Sequence, residues 1–260
     1  MRYQRFVVVG DSCAEGLDDP HPDGGVYRGW ADFTAGALAE LNPGLRYANL
    51  AVRGRRLDQI TEEQFPALDR LRPDLVALFG GGNDVLSGSW RADVVAARVD
   101  RAVRMLTDTA PTVVTFTLSD VSRLPVGSRL RKRIIALNEA IHDSAARHGA
   151  LVVDLWPDEA ARDLRYFGRD RLHLAEAGHR RLAAYLLHRL GVPYDESWLA
   201  PLASPPLTTG LRARAADVDW LFREVVPVAW SRLRNRMVGR SPGDGFLPKR
   251  PDLLPVRANA

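Results

Sequence analysis

Short apolar runs alternate with longer amphipathic segments over roughly the first 190 residues of this chain. Five segments have the length of buried strands, and most of them are rich in apolar and β-branched residues: Phe6–Val9, Arg46–Leu50, Asp74–Phe79, Thr112–Thr117 and Leu151–Leu155. Continuous apolar runs of this kind are typical of strands that are covered on both faces. The pattern therefore predicts five buried strands.

Five further segments place their apolar residues at helical spacing. The predicted helices are Trp30–Leu41, Leu57–Leu71, Ala92–Leu106, Arg129–His148 and Ala175–Leu190. Pro66 interrupts the second of them and is expected to break or kink it. Gly149 and Gly191 follow the last two, at positions where glycine commonly ends a helix.

The alternation of strands and helices predicts an α/β protein with a parallel sheet covered on both faces. The crossovers between its parallel strands should be right-handed. Eight strand–helix units do not fit, so a closed barrel is not favoured. We therefore predict a three-layer α/β/α sandwich with a flavodoxin-like, five-stranded parallel sheet, formed by a domain of residues 1–191.

The composition changes after this predicted domain. Prolines are frequent in the stretch that follows, which is typical of a linker, and Ser241–Ala260 is rich in proline and glycine. We expect Ser241–Ala260 to be extended or loosely ordered. Residues 192–260 are thus predicted to form a C-terminal extension that packs on the core.

A predicted amphipathic helix, Asp217–Val238, lies within this extension, and Pro227 should kink or divide it. Two interpretations of its apolar side remain open. The favoured one packs the helix across the core and buries Trp220 and Trp230. The other places it on a membrane surface, where it would deliver lipid esters.

Charge and cysteine content exclude several classes of protein. The 260 residues carry a formal net charge of +4, and the basic residues are spread along the chain, so binding to nucleic acid is not predicted. Cys13 is the only cysteine, which excludes an internal disulfide and a cysteine-based metal cluster. No signal-peptide core or run of membrane-spanning length is visible, so we expect a soluble, cytoplasmic protein.

A candidate nucleophile follows the first predicted strand, where Gly10-Asp11-Ser12 forms a predicted tight turn. The turn would expose the Ser12 hydroxyl at the carboxyl edge of the sheet, where open α/β sheets bind ligands. The alternative for Ser12 is a helix-capping or turn serine. Asp11 is expected to hydrogen-bond within the turn, and Cys13 is expected to be an inert thiol.

A candidate base follows the last predicted strand. His173 stands three residues after Asp170, a spacing that lets a carboxylate in a turn reach the imidazole Nδ1–H. The other ring nitrogen would then face a nucleophile; the alternative is a histidine that caps the loop. The remaining histidines are expected in a proline-rich loop or in solvated or capping positions on helices: His21, His142, His148, His179 and His188.

Candidate hydrogen-bond donors follow the second and third predicted strands. Gly80–Gly82 allows close backbone approach and precedes Asn83, whose amide can donate to a developing oxyanion. The N–H of Gly54 can face the same cleft. A phosphate-binding loop is the alternative, but no Gly-Lys-Ser/Thr follows the glycines. Asp84 is expected to order the loop that carries Asn83.

These blocks together resemble the SGNH hydrolases, also called the GDSL-like lipase/esterase superfamily. The matching residues, in the order of that family, are Gly10-Asp11-Ser12, Asn49 to Gly54, Gly81-Gly82-Asn83-Asp84 and Asp170-Arg171-Leu172-His173. The resemblance covers roughly residues 4–190. One departure is Cys13, which stands where the family often has leucine or isoleucine.

The resemblance implies a role for each matching residue. Ser12 would be the nucleophile, His173 the base and Asp170 its orienting acid. The backbone N–H groups of Ser12 and Gly54 and the side chain of Asn83 would form an oxyanion hole. The implied enzyme hydrolyses a small-molecule ester through an acyl-enzyme and requires no metal or organic cofactor.

Several alternatives remain open at this point. A catalytically idle domain that serves as a binding module is the main one, although such a module has no need of all the matching residues. Among enzymes, a thioesterase or a carbohydrate O-acetyl esterase fits as well. Thr115, Thr117 and Ser119 are candidates for a substrate-binding wall. The sequence decides neither the ester nor the oligomeric state.

Overall fold

A computed structural model describes residues 3–20, 27–120, 127–203 and 239–256, together with residues 219, 220, 222, 223, 230 and 234. Within these residues one sheet contains the strands β1 Arg5–Gly10, β2 Arg46–Asn49, β3 Leu75–Phe79, β4 Thr112–Phe116, β5 Leu151–Val153 and β6 Arg250–Pro255. The strand order is β5-β4-β3-β1-β2-β6.

The first five strands are parallel, as predicted. Val7 at the centre of β1 is opposite Ala48 of β2 and Val76 of β3. Because the chain moves outward from β1 in both directions, the sheet has a switch point between β1 and β3, where doubly wound folds bind their ligands. The predicted α/β class is confirmed.

Helices connect the strands and cover the sheet. They are α1 Ser12–Glu15, α2 Trp30–Leu41, α3 Leu57–Glu63, α4 Pro66–Leu71, α5 Gly82–Val85, α6 Ala92–Thr109, α7 Gly127–His148 and α8 Glu176–Leu190. Short 3-10 helices occupy Glu159–Arg162, Leu164–Tyr166 and Glu196–Leu199. The predicted helix over residues 57–71 is divided in two, because Pro66 begins a new helix at a position where its missing N–H is tolerated.

The central strands β1, β3 and β4 are buried on both faces, and successive residues along each strand belong to different apolar clusters. Phe79 and Phe116 point to the face covered by α2 and α8, where both rings pack near Trp30. The ring of Phe116 lies 4.8 Å from Trp30 and 4.9 Å from Phe79, measured between centroids. This aromatic cluster packs the carboxyl ends of β3 and β4 against the start of α2.

We expect Phe116→Ala to lower the free energy of unfolding by about 3–5 kcal/mol, because the fully buried ring leaves a cavity between Trp30 and Phe79. Urea denaturation monitored by circular dichroism measures the change. Leu41→Ala is the control, since Leu41 is 56% exposed and its loss should change stability by no more than about 0.5 kcal/mol. Equal effects of the two substitutions would contradict this account of the core.

The C-terminal region corrects the prediction of a wholly parallel, five-stranded sheet. β6 lies within the tail predicted to be loosely ordered and pairs antiparallel with β2, with Tyr47 opposite Leu254. It carries Pro251 and Pro255, which lack a donor for a ladder and are tolerated on an edge strand. Its sequence has no apolar run, so periodicity could not reveal it. Residues 257–260 lie outside the described part of the chain.

The predicted helix Asp217–Val238 lies largely outside the described residues. Trp220 is buried, as the packed interpretation expects, but the side chain of Trp230 is 68% exposed, so its predicted burial is wrong. The division between residues 1–191 and 192–260 stays a prediction. Within the described ranges, no helix has both the length and the apolar character needed to cross a bilayer.

His179 on α8 is buried, so of the two expected positions for this histidine the solvated one is wrong. The backbone N–H of Trp30 donates to its Nδ1 over 3.2 Å, so the ring links α8 to the start of α2. Burial lowers the pKa of His179 to about 4, and the ring is therefore neutral at neutral pH.

Candidate active site

The turn after β1 presents Ser12 at the carboxyl edge of the sheet. Gly10 is needed there, because its φ is +150° and a Cβ atom would lie only 2.0 Å from the carbonyl oxygen of Phe79. Asp11 then caps α1 by accepting a hydrogen bond from the backbone N–H of Cys13 over 3.0 Å. Ser12 is thus the first residue of a one-turn helix.

The loop before α8 forms a tight turn over residues 167–174 that carries Asp170 and His173. One carboxylate oxygen of Asp170 accepts from the backbone N–H groups of Leu172 and His173, each over 2.9 Å. Arg171 adopts a left-handed conformation with φ +57°, which is uncommon for a residue with a Cβ atom. The backbone of this turn therefore fixes the direction of the Asp170 carboxylate.

The structure brings Ser12, His173 and Asp170 together in one chain of hydrogen bonds. The distance from Ser12 Oγ to His173 Nε2 is 2.7 Å, and His173 Nδ1 bonds to the second oxygen of Asp170. Burial opposes charge on the imidazole, but the hydrogen bond and charge of Asp170 outweigh it and raise the pKa of His173. Burial likewise opposes charge on Asp170, yet the bond to His173 lowers its pKa. The arrangement favours an imidazolium–carboxylate pair.

Asn83, on the one-turn helix α5, contacts both the turn after β1 and the loop that carries Gly54. The side-chain nitrogen of Asn83 lies 3.2 Å from a carboxylate oxygen of Asp11 and 3.2 Å from the carbonyl oxygen of Arg55. Gly54, adjacent to Arg55, has φ +78°, a conformation that favours glycine. The predicted donors therefore come from neighbouring loops at the same edge of the sheet.

Two buried polar side chains hold these loops in place. Asn49 donates to the carbonyl oxygen of Ala14 over 2.9 Å and accepts from the N–H of Ala51 over 3.0 Å, which links α1 to the loop after β2. Asp84 accepts from the N–H of Leu57 over 2.9 Å. The loop that carries Asn83 is thereby tied to the start of α3, as predicted for Asp84.

The residues on either side of Ser12 have shifted ionisation. Burial raises the pKa of Asp11 to about 6, against the hydrogen bond that its carboxylate accepts from Cys13. Burial and the nearby charge of Asp11 raise the pKa of the Cys13 thiol well above its usual range. Because the thiolate is the reactive form, Cys13 is poorly suited to nucleophilic chemistry.

Thr115, within β4, and Thr117, directly after it, do not form the predicted substrate-binding wall. Thr115 and Thr117 are buried, and the hydroxyl of Thr117 donates to Asp154 over 2.8 Å and accepts from the N–H of Leu155 over 2.7 Å. Thr117 therefore joins β4 to the end of β5. Ser119 lines a small cavity of about 50 Å³ next to the turn of residues 167–174.

Trp220 contacts the turn of residues 167–174, and no sequence motif marks it as a site residue. Its indole N–H donates to the backbone carbonyl oxygen of Asp170 over 3.1 Å, and the guanidinium of Arg171 lies 4.9 Å from its ring centroid. The sequence could not reveal this contact, because Trp220 and Asp170 are fifty residues apart and no local pattern links such distant positions.

The carboxylate of Asp18, in the loop after α1, also approaches the turn of residues 167–174. Asp18, Asp170 and His173 each place one possible ligand atom within 4.8 Å of the others, the only such group among the described residues. The Nδ1 of His173 already bonds to Asp170, and its Nε2 already contacts Ser12. A metal would have to displace one of these contacts, so the group fits an acid–base pair better than a metal centre.

The sequence matches a known protein family. The model of the GDSL-like lipase/acylhydrolase family matches residues 8–181, a range that includes Ser12, Gly54, Asn83, Asp170 and His173. The chain belongs to this family. Its family membership identifies it as a carboxylic ester hydrolase, in agreement with the resemblance read from the four motif blocks.

Solved structures with low sequence identity share the fold of this GDSL-like hydrolase. An alpha/beta hydrolase enzyme from the metagenome of Lake Arreo, Spain, has a TM-score of 0.58 and 22% identity, covering 72% of this chain and 95% of its own. An acetylxylan esterase from Geobacillus stearothermophilus has a TM-score of 0.59 and 20% identity, covering 74% and 98%. Comparison with curated protein sequences gave no match.

Proposed function

We propose that this GDSL-like hydrolase is a serine esterase that cleaves its substrate through a Ser12–His173–Asp170 triad. The observation that carries the proposal is the 2.7 Å contact between Ser12 Oγ and His173 Nε2, with Asp170 bonded to the opposite ring nitrogen. This is the geometry that a general base needs in order to take a proton from a hydroxyl nucleophile.

The proposed reaction proceeds in two halves. His173 takes the hydroxyl proton as Ser12 Oγ attacks the ester carbonyl, and a tetrahedral oxyanion forms. His173 then gives this proton to the departing alcohol as the carbon–oxygen bond breaks, leaving an acyl-enzyme on Ser12. In the second half, water attacks the acyl carbonyl as His173 takes a proton from it. His173 then gives this proton to Ser12 Oγ as the bond between Oγ and the acyl carbon breaks, and the acid is released. Every proton is carried by groups of the chain or by water.

The backbone N–H groups of Ser12 and Gly54 and the side chain of Asn83 are proposed to stabilise the oxyanion. This role is supported by the contacts of Asn83 with Asp11, next to Ser12, and with Arg55, next to Gly54. The amide of Asn83 donates to oxygens of Asp11 and Arg55, and a developing oxyanion would compete with these acceptors. Loss of one such donor typically lowers kcat by about 10²- to 10³-fold.

The substrate is proposed to be an ester with a short acyl group. The acetylxylan esterase that shares the fold acts, by its name, on acetyl groups of xylan, which favours a carbohydrate O-acetyl ester for this chain. A thioesterase is the alternative within the same mechanism. A catalytically idle binding module is not favoured, because the hydroxyl, imidazole and carboxylate remain in hydrogen-bond contact.

A substrate panel combined with active-site labelling tests the proposal. We expect the purified protein to hydrolyse p-nitrophenyl acetate and acetylated xylo-oligosaccharides faster than p-nitrophenyl decanoate or acetyl-coenzyme A. A fluorophosphonate should attach once per chain, and peptide mapping should locate it on Ser12. No hydrolysis of any substrate together with no labelling would contradict the proposal, whereas faster cleavage of acetyl-coenzyme A would favour the thioesterase.

A further inference from the structure

We propose that the C-terminal arm, defined as residues 241–249, is a positioning element for the oxyanion hole. The arm lies against the loop of residues 53–55, which carries the Gly54 N–H. The inference rests on the proposed function, because it assigns a catalytic consequence to a contact made by that loop. None of the motif blocks of the hydrolase includes the arm.

The arm and the loop approach each other at two glycines. A Cβ atom on Gly54 would lie 2.8 Å from Pro242 Cβ and 2.9 Å from the backbone nitrogen of Gly243. In turn, a Cβ atom on Gly243 would lie 2.4 Å from the carbonyl oxygen of Arg53. The two backbones are thus packed so closely that a side chain on either glycine would push them apart.

Polar side chains reinforce this backbone contact. The guanidinium of Arg55, which is only 10% exposed, forms an ion pair with Asp244 at 2.7 Å. The other carboxylate oxygen of Asp244 accepts from the N–H of Ser241 over 2.9 Å, and the Ser241 hydroxyl accepts from Gln59 over 2.9 Å. Asp244 therefore both closes the turn of the arm and holds the loop after Gly54.

The far end of the arm is anchored independently of the loop. The ammonium group of Lys249 is buried, lies 2.6 Å from a carboxylate oxygen of Asp32 and donates to the carbonyl oxygen of Tyr27 over 2.9 Å. The following residue begins β6, which pairs with β2. This anchorage limits how far the arm can move away from Gly54.

The loop that the arm contacts is directly connected to two of the proposed oxyanion donors, those of Gly54 and Asn83. Gly54 supplies one donor, and the carbonyl oxygen of Arg55 accepts a hydrogen bond from the Asn83 side chain over 3.2 Å. A shift of this loop would therefore move the Gly54 donor and at the same time disturb the hydrogen bond that orients the Asn83 donor. Misplacement of catalytic groups by about 1 Å can lower the rate by about 10²-fold.

The first test compares two glycine substitutions. Gly243→Ala inserts a methyl group against Arg53, whereas Gly88→Ala is the control, because a Cβ there meets no atom within 4 Å and its φ is ordinary. We expect Gly243→Ala to lower kcat for p-nitrophenyl acetate by about 10- to 100-fold. KM and the pH at half-maximal kcat/KM should stay close to the wild-type values, because neither the acyl group's binding nor the His173–Asp170 pair is altered.

A second pair of variants keeps the inference testable if Gly243→Ala does not fold. Asp244→Ala breaks the ion pair with Arg55, whereas Asp252→Ala breaks a pair with Arg70 at 2.8 Å, farther along the same tail. We expect kcat to fall by about 10-fold in Asp244→Ala and to remain at the wild-type value in Asp252→Ala. Thermal unfolding of all four variants separates loss of folded protein from loss of turnover.

The outcomes distinguish the inference from the proposed function. Wild-type kcat in folded Gly243→Ala or Asp244→Ala, with activity abolished in Ser12→Ala, would overturn the role of the arm alone. A fall in thermal stability without a fall in kcat would also overturn it, since the arm would then be merely structural. A wild-type protein without esterase activity would refute the proposed function, and the inference would fall with it.

Discussion

Replacing Ser12 by alanine is expected to lower kcat for p-nitrophenyl acetate by about 10⁴- to 10⁶-fold. The substitution removes the hydroxyl oxygen that lies 2.7 Å from His173 Nε2, so the base keeps its orientation but has no hydroxyl to deprotonate. Residual turnover should come from water held near the oxyanion donors. Initial rates of the variant and the wild type, measured on protein whose folding is verified by circular dichroism, give the two kcat values to compare.

Cys13→Ala is the matched control, because Cys13 is the next residue and could be mistaken for the nucleophile. The contact that Cys13 makes to Trp30 uses its backbone carbonyl oxygen, over 2.8 Å, and survives the substitution. We expect kcat to change by less than about threefold, since the thiol stays protonated. Activity retained in Ser12→Ala but lost in Cys13→Ala would reverse the assignment.

The second large effect is expected for Asp170→Asn, which should lower kcat by about 10⁴-fold. An asparagine at this position can keep the turn by accepting from Leu172 and His173 N–H, but its amide would present N–H toward His173 Nδ1. The imidazole would then carry its proton on Nε2 and could no longer accept the proton of Ser12.

The same variant should change the pH profile in a defined direction. Asp170 raises the pKa of His173, so in the wild type the base becomes competent only as the pH rises through that value. Removing the carboxylate lowers the pKa, and the acidic limb of kcat/KM should move to lower pH while the plateau falls. Initial rates across the pH range measure both changes.

Asp195→Asn serves as the control for this prediction. Asp195 accepts from the backbone N–H of Ser197 over 2.9 Å, a turn contact like those of Asp170, but it lies at the start of a 3-10 helix away from His173. Its variant should keep the wild-type rate and pH profile. A rate loss in Asp170→Asn without a shift of the acidic limb would contradict the proposed pairing with His173.

Much of the fold follows from local sequence patterns. The runs that became β1 and β3 are continuously apolar and lie at the centre of the sheet, where both faces are buried. The helix predicted over Trp30–Leu41 begins and ends at those residues in the structure. The candidate site could also be predicted, because each of its blocks directly follows a strand or lies in the loop before α8, and parallel strands bring their carboxyl ends to one edge.

What the sequence did not reveal depends on contacts between distant positions. β6 is recognisable only through its pairing with β2, since Tyr47 and Leu254 are far apart in the chain and β6 has no apolar alternation. The contact of Trp220 with Asp170 has the same character. The one-turn helices α1 and α5 are too short for periodicity, and a neutral, buried histidine such as His179 looks in sequence like any helical histidine.

The antiparallel pairing of β2 with β6 also bears on how the protein is made. The ribosome synthesises β2 about two hundred residues before β6, so the nascent chain carries an open sheet edge over that interval. Unpaired edges invite association with other chains, and long-range pairings form slowly. Arrival of Arg250–Pro255 closes this edge with a strand whose two prolines cannot donate further hydrogen bonds. The edge at β2 is therefore protected from aggregation only after β6 has been made.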